Sequence, residues 1–204
     1  VHQIKTPLSV MRLQLQSEDT PENRAMLAEL FQMEQYVTMA LSYARLGNPT
    51  KDLVLTRVPL DPVIRQAIRD FAPLLIRKKL RLQYEPTAES ALTDSKWLLF
   101  ILHQLLSNAV KYTDRGRVSI RVTSAPAIIV ADTGIGIAPE DVPRVFEKGY
   151  TGYNGRGGQK STGLGLYLVH QTAEMLHCRV SLSSRIGEGT SVTIDLHQEE
   201  LGKE

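Results

Sequence analysis

Apolar residues in the first 46 positions recur at helical spacing, and this region contains no glycine. Two apolar stripes are separated by the polar segment SEDTPEN at residues 17–23, where Thr20-Pro21 is a typical helix start. The first stripe consists of Ile4, Leu8, Met11 and Leu15, and the second of Met26, Leu30, Met33, Val37, Ala40 and Ala44. The pattern predicts a helical hairpin over residues 1–46.

Two helices of this length cannot bury both stripes against each other, so the hairpin needs a further apolar surface. Self-association of two chains into a four-helix bundle is the simplest source of that surface. The alternative is that the hairpin packs on the remainder of its own chain.

The helical pattern stops at LGNPT (46–50), where glycine, asparagine and proline favour a break. We interpret residues 47–52 as a hinge and residues 53–204 as a second domain, in which strand and helix patterns alternate. The predicted strands are 53–60, 80–86, 116–124, 127–132 and the segments RVSLSS and GTSVTIDL, and the predicted helices are 61–79, 94–113 and 161–176. Helices on one face of a mostly antiparallel sheet define an α+β sandwich.

Composition and charge narrow the classes of protein that fit. Hydrophobic residues make up 42% of the chain, as in folded domains, and a net charge of +2 is too near neutral to predict a nucleic-acid partner. The longest apolar run, residues 97–106, is too short to span a bilayer, and no signal-peptide pattern is present. The single Cys178 excludes an internal disulfide and fits a reducing compartment. Because the sequence begins in mid-pattern, we expect it to be a piece of a longer protein.

Glycine is concentrated in one part of the chain, since nine of the 14 glycines lie between Gly134 and Gly165. DTGIGI (132–137) follows a strand pattern, and a glycine-rich segment (149–166) leads into a helix. Backbone of this kind at a helix N-terminus directs several N–H groups at an anion. We expect a loop that closes over a polyphosphate; a surface loop without a ligand is the alternative. The cations available to it are Lys148, Arg156 and Lys160.

Three polar residues near the end of the 94–113 helix share one face, because Asn108, Lys111 and Tyr112 stand at positions i, i+3 and i+4. The Asn108 oxygen suits Mg²⁺ that is held mainly by phosphates and water, Lys111 can reach a phosphate, and Tyr112 can lie along a base. Asp132, which ends an apolar strand, can accept a hydrogen bond from the exocyclic amine of adenine. Each feature alone also fits a structural role, as a polar helix end or a capped turn.

The order of an Asn-bearing helix, D-x-G-x-G and a glycine-rich segment ending in G-x-G resembles the ATP-binding domain of bacterial sensor histidine kinases. DNA gyrase, MutL and the heat-shock chaperone ATPases share this fold. The resemblance covers about residues 50–198, and VFEKGY (145–150) stands where the family has its aromatic lid motif. It implies ATP and Mg²⁺ as cofactors, with the amine of adenine at Asp132.

The same resemblance implies roles for the other site residues. By this resemblance Asn108 would bind Mg²⁺, Lys111 would contact a phosphate and Tyr112 would lie against adenine. Gly134 and Gly136 would approach the base, Gly163 and Gly165 the phosphates, and Thr190 would complete the pocket wall.

One position departs from the family pattern. An asparagine that these kinases often carry one turn before Asn108 is replaced by Gln104, whose side chain is longer by one methylene. Because Mg²⁺ tolerates little geometric error, we expect Gln104 to reach the ion through water.

HQIKTPL (2–8) resembles the phospho-acceptor motif of sensor kinases, whose commoner form has an acidic residue after the histidine. It is most similar to the kinases partnered with peptide-antibiotic transporters, the bacitracin-sensor-like group. The resemblance implies autophosphorylation of His2, transfer to an Asp of a response regulator, a homodimer and a transporter as signal input. It also implies the cytoplasmic portion of a cell-membrane sensor. Gln3 can accept a hydrogen bond from the imidazole, or act with Thr6 to orient a water that dephosphorylates the regulator.

Two questions stay open at this point. Thr6-Pro7 is either a helix start that leaves residues 1–5 as a tail, or a proline inside a helix that includes His2. The competing function is a nucleotide-gated clamp or scaffold of the same fold without phosphotransfer, which leaves the hairpin and His2 unexplained.

Overall fold

The structure, a computed structural model, describes residues 2–46, 53–152 and 162–197. The chain divides between residues 48 and 49 into two compact units, and each is described by itself. The predicted boundaries 1–46, 47–52 and 53–204 stay predictions, because the proposed hinge lies outside the described residues.

The first unit is a pair of helices, α1 (His2–Gln16) and α2 (Pro21–Leu46). Since α1 begins at His2, the interpretation that places a helix start at Thr6 is wrong. Pro7 lies inside the helix, where it removes the N–H that would bond to the carbonyl of Gln3.

The apolar stripes of the hairpin are only partly buried. Leu30 is buried, Leu8 and Leu15 are half-buried, and the Arg12 guanidinium forms an ion pair with Glu34 across the two helices. Apolar side chains of the predicted stripes that are 49–56% exposed are Ile4, Met11, Met26 and Met33. The hairpin therefore presents an apolar surface that the described residues leave uncovered.

The second unit alternates strands and helices. Its helices are α3 (Leu60–Arg77), α4 (Ser95–Tyr112), a short 3-10 helix (Val142–Arg144) and α5 (Gly165–Met175). Its strands are β1 (Thr56–Pro59), β2 (Arg81–Tyr84), β3 (Ser90–Thr93), β4 (Arg117–Val122), β5 (Ala127–Asp132), β6 (Arg179–Arg185) and β7 (Gly189–Asp195). Within the described ranges, no helix combines the length and apolar character needed to cross a membrane.

Five strands form one sheet in the order β2-β4-β5-β7-β6, in which only the β2-β4 pair is parallel. A separate two-stranded antiparallel sheet joins β1 to β3, with Val58 opposite Ala91. The sequence pattern did not predict β3, since its residues Ser-Ala-Leu-Thr do not alternate between polar and apolar. The predicted α+β fold is confirmed.

The core lies between the sheet and the helices, with α4 at its centre. α4 starts at Asp94, whose Oδ1 accepts hydrogen bonds from the amides of Lys96 (2.9 Å) and Trp97 (3.3 Å). Its side chains without exposed area are Leu98, Ile101, Leu102 and Leu106. This packing fixes the C-terminal end of α4, where Asn108 and Tyr112 lie, beside the end of β5.

Replacing Ile64 by alanine is predicted to lower the free energy of unfolding by about 2–5 kcal/mol, because a fully buried side chain would leave a cavity. The matched control is Ile76, which lies on the same helix α3 but is 75% exposed. Ile76→Ala should change the free energy of unfolding by less than about 0.5 kcal/mol. Urea unfolding of both variants measures the difference. Equal losses would contradict the packing described for α3.

Candidate functional site

A cavity opens in the second unit between α4, the ends of β5 and β7, the segment 135–152 and the start of α5. Residues from distant parts of the sequence meet in it. Predicted nucleotide residues that line the cavity are Asn108, Tyr112, Asp132, Gly136, Gly163, Gly165 and Thr190.

The remaining predicted site residues are placed elsewhere. Lys111, Gly134, Lys148 and Gln104 are described but do not line the cavity, and Arg156 and Lys160 lie outside the described residues. In the first unit, Gln3 and Thr6 are exposed on α1, whereas the side chain of His2 lies outside what the structure describes.

Asp132 ends β5 and is half-buried, opposite Val118 on β4 and Thr190 on β7. Its Oδ1 accepts a hydrogen bond of 2.8 Å from the Gly134 amide. Burial raises the pKa of the Asp132 carboxyl, while hydrogen bonds from the Gly134 and Thr190 amides oppose that rise. Burial therefore penalises the charged form of the Asp132 carboxyl, and these hydrogen bonds offset part of that penalty.

Gly134 shapes the backbone around this carboxylate, although it does not line the cavity. A Cβ atom at Gly134 would lie 2.3 Å from the carbonyl oxygen of Tyr112 and 2.8 Å from Asp132 Oδ1. Glycine is thus required where the chain after β5 passes the end of α4.

The polar face of α4 is directed toward the start of α5. Asn108 and Tyr112 line the cavity, and Lys111 Nζ is 5.2 Å from the centroid of the Tyr112 ring. A Cβ on Gly165 would lie 3.3 Å from Gln104 Oε1 and 3.9 Å from the Asn108 amide nitrogen. Gln104 is only 3% exposed, so its amide sits beneath the first residue of α5 rather than at the cavity surface.

The N-terminus of α5 faces the cavity without a side-chain cap. The helix begins at Gly165, not at residue 161 as predicted, because Gly163 has a φ of +64° and interrupts the helical path. Leu164 occupies the capping position and makes no side-chain hydrogen bond to the helix. The first N–H groups of α5, with their partial positive charge, are therefore available to an anion.

Three polar residues that line the cavity were not predicted from the sequence, Asp141, Tyr150 and Thr151. The Tyr150 hydroxyl donates a hydrogen bond to Asp141, and this bond raises the pKa of Tyr150. Tyr150 ends the motif VFEKGY, in which only Lys148 was assigned a role, and Asp141 lies four residues before that motif. Apolar side chains complete the wall, among them Leu105, Ile135, Ile137, Val145, Leu182 and Val192.

Comparison with known proteins assigns the second unit to a family. The chain belongs to the histidine kinase-, DNA gyrase B- and HSP90-like ATPases, whose family model matches residues 93–200. The matched range contains every described residue that lines the cavity.

Curated relatives extend the similarity to nearly the whole chain. The sensor protein BceS of Halalkalibacterium halodurans is 36% identical over 203 residues, which cover 98% of this chain and 61% of that protein. The sensor histidine kinase YxdK of Bacillus subtilis is 36% identical over 198 residues, covering 94% of this chain and 61% of YxdK. The resemblance to bacterial sensor histidine kinases of the bacitracin-sensor-like group is confirmed. The chain spans about three-fifths of the length of these relatives.

Solved structures show the same fold. Full-length ShkA in complex with AMPPNP superposes with a TM-score of 0.65 at 25% identity, covering 95% of this chain and 43% of ShkA. The histidine kinase AdeS of Acinetobacter baumannii gives a TM-score of 0.64 at 21% identity, covering 97% of this chain and 99% of AdeS.

Replacing Asp132 by asparagine is predicted to stabilise the protein at pH 7. The pKa of the Asp132 carboxyl is higher in the folded protein than in the unfolded chain, where it is about 3.9. The protonated carboxyl therefore stabilises the fold below a pH of about 3.9, and this stabilisation is lost as the pH rises through the folded pKa. An asparagine cannot ionise, so the urea midpoint of Asp132→Asn should exceed that of the wild type at pH 7.

The difference between the two midpoints should shrink as the pH is lowered toward 3. Asp114→Asn, at a side chain that is 82% exposed, serves as the control and should move the midpoint little at either pH. A lower midpoint for Asp132→Asn at pH 7 would contradict the stated cost of the buried charge.

Proposed function

We propose that this chain is the catalytic core of a sensor histidine kinase, which binds ATP in the cavity and transfers its γ-phosphoryl group to His2. The observation that carries the proposal is the uncapped N-terminus of α5 facing a cavity that also holds the buried carboxylate of Asp132. One end of this cavity suits an anion and the other a hydrogen-bond donor. Adenosine phosphates carry both groups.

The nucleotide is proposed to lie with adenine at Asp132 and its phosphates at α5. The carboxylate accepts a hydrogen bond from the adenine amine, and Tyr112 lies along the base. Gly136 and Thr190 form the wall nearby, with Gly134 shaping the turn. Phosphate oxygens would meet the amides of Gly163 and Gly165, as expected for a helix N-terminus. The solved ShkA structure with AMPPNP supports a nucleotide in this fold.

The residues present fit Mg²⁺ only as a companion of the nucleotide. Among the described residues, no group of three histidine, cysteine or acidic side chains could hold a metal ion. Asn108 offers a neutral amide oxygen at the cavity surface close to Gly165, which suits an ion held mainly by phosphates and water. The buried Gln104 amide is proposed to reach the ion only through water. When bound, the ion would neutralise charge on the phosphates. Lys111 is proposed to contact a phosphate of the nucleotide. Further cations proposed for the phosphates are Lys148, Arg156 and Lys160.

His2 is the proposed acceptor. A neutral ring nitrogen attacks the γ-phosphorus, the nitrogen–phosphorus bond forms, and the bond to the bridging oxygen breaks so that ADP leaves with the electron pair. Gln3 accepts a hydrogen bond from the imidazole without removing its proton, and Gln3 with Thr6 can orient a water in a phosphatase reaction. The phosphoryl group then passes to an Asp of a response regulator.

The hairpin is proposed to dimerise. Four apolar side chains of its predicted stripes are about half exposed, which is the surface that a second hairpin would cover in a four-helix bundle. The chain is further proposed to be the cytoplasmic portion of a cell-membrane sensor, in line with its similarity to the sensor protein BceS. A transporter is the proposed signal input.

Incubation with γ-labelled ATP and Mg²⁺ is predicted to place an acid-labile, alkali-stable label on the protein, as expected of a phosphohistidine. His2→Ala should abolish the label, whereas the matched control His197→Ala, at an exposed histidine of the second unit, should retain it. Label retained in His2→Ala would contradict the acceptor assignment. ATP hydrolysis without any protein label would favour the nucleotide-gated clamp.

A further inference from the structure

Two groups of tyrosine, aspartate and arginine in the second unit share the same chemistry, and one of them borders the cavity. In the group distant from the cavity, the Tyr84 hydroxyl donates to Asp61 Oδ1 at 2.6 Å, and Arg65 Cζ lies 5.9 Å from the Tyr84 ring centroid. This contact joins β2 to α3. The second group, here called the Tyr150 cluster, consists of Asp141, Arg144 and Tyr150.

In the Tyr150 cluster, both the hydroxyl and the ring of Tyr150 are held by neighbouring side chains. The hydroxyl of Tyr150 donates to the carboxylate of Asp141, which immediately precedes the 3-10 helix. Arg144 Cζ lies 4.2 Å from the ring centroid, a distance typical of a cation–π contact. Arg144 is itself paired with Glu147 at 3.0 Å. Position and orientation of the Tyr150 ring are thereby fixed against the 3-10 helix.

The backbone beside Tyr150 is joined to the start of α5. The Gly149 amide donates to the carbonyl oxygen of Gly163 at 3.0 Å, two residues before the helix begins. On the other side of Tyr150, a Cβ on Gly152 would lie 3.0 Å from Asp141 Oδ2. The backbone on either side of Tyr150 therefore lies against two neighbours, the residue Gly163 before α5 and the carboxylate of Asp141.

The cluster forms part of the cavity wall itself. Asp141, Tyr150, Thr151, Gly152 and Gly163 all line the cavity, next to the uncapped N-terminus of α5. A wall that is formed before the ligand arrives does not have to be ordered on binding, which improves affinity.

We propose that Tyr150 is a positioning residue for the nucleotide, which acts through Asp141 to hold residues 149–152 beside α5 in the nucleotide-free protein. The role rests on the proposed nucleotide site. When the hydroxyl is removed, a smaller fraction of molecules has the wall formed, and the apparent dissociation constant rises by the same factor. A hydrogen bond to a charged group is strong enough to change that fraction about tenfold, equivalent to about 1.4 kcal/mol.

Tyr150→Phe and Tyr84→Phe are the matched pair of variants, because each removes one hydroxyl that donates to an aspartate. Three quantities are measured: the affinity for Mg·ADP by calorimetry, hydrogen exchange of amides 149–152 without nucleotide, and the thermal midpoint. Tyr150→Phe should weaken Mg·ADP binding about tenfold and speed exchange at 149–152, with little change in the midpoint. Tyr84→Phe should lower the midpoint and leave the other two quantities unchanged.

The outcomes separate this role from the proposed function. If the wild type binds no Mg·ADP, the proposed nucleotide site is wrong, yet faster exchange in Tyr150→Phe still supports a wall held by the cluster. If the wild type binds and Tyr150→Phe matches it in affinity and exchange, the positioning role is wrong. A lower midpoint as the sole effect of Tyr150→Phe would reduce the cluster to a structural contact and overturn the proposal.

A double-mutant cycle tests whether Tyr150 acts through Asp141. If it does, Tyr150→Phe combined with Asp141→Asn should bind Mg·ADP no more weakly than the weaker single variant. Fully additive losses would show that the two residues act independently and would overturn this part of the proposal.

Discussion

The half-buried carboxylate of Asp132 is the constraint on which the rest of the site depends. It stands where β5 ends, and its hydrogen-bond donors are backbone amides of Gly134 and Thr190, contributed by a turn and by β7. The turn also passes within van der Waals contact of the end of α4. A helix, a strand pair and a glycine turn are thus fixed relative to one charged group, and the cavity is the space they leave open.

Three features of this chain cost folding free energy when the protein is considered alone. They are the half-buried charge of Asp132, the uncapped start of α5 and the apolar side chains exposed on the hairpin. In the proposed function each would be relieved by a specific occupant: the amine of a base, a phosphate and a second hairpin. Features that lower the folding stability of the protein without its ligands are expected at functional sites. The first two features fit a nucleotide-gated clamp equally well, so the hairpin with its exposed apolar side chains and His2 is what favours the kinase over a scaffold.

Local patterns in the sequence predicted most of the second unit and the centre of its site. Glycine spacing and the polar face of α4 are properties of neighbouring residues, so Asn108, Tyr112, Asp132, Gly163 and Gly165 could be assigned without a structure. Asp141 and Tyr150 could not, because their contact depends on the path of nine residues through a 3-10 turn, which has no periodic signature. β3 was not predicted for a similar reason, since its sequence shows no polar–apolar alternation and it is recognisable only through its pairing with β1. The sequence left the start of α1 open, because Thr6-Pro7 matches a helix start by local chemistry although the helix continues through it.

The proposed recognition of the adenine amine by Asp132 is tested by comparing the affinities for Mg·ADP and Mg·inosine diphosphate. Inosine diphosphate has a carbonyl in place of the amine and so offers Asp132 no donor at that position. We predict that the wild type binds Mg·ADP at least about tenfold more tightly than Mg·inosine diphosphate, because with the latter the Asp132 carboxylate would lack the amine as its hydrogen-bond donor. Asp132→Asn, whose amide can donate to the carbonyl, should lose that preference. Equal affinity of the wild type for both nucleotides would contradict the account.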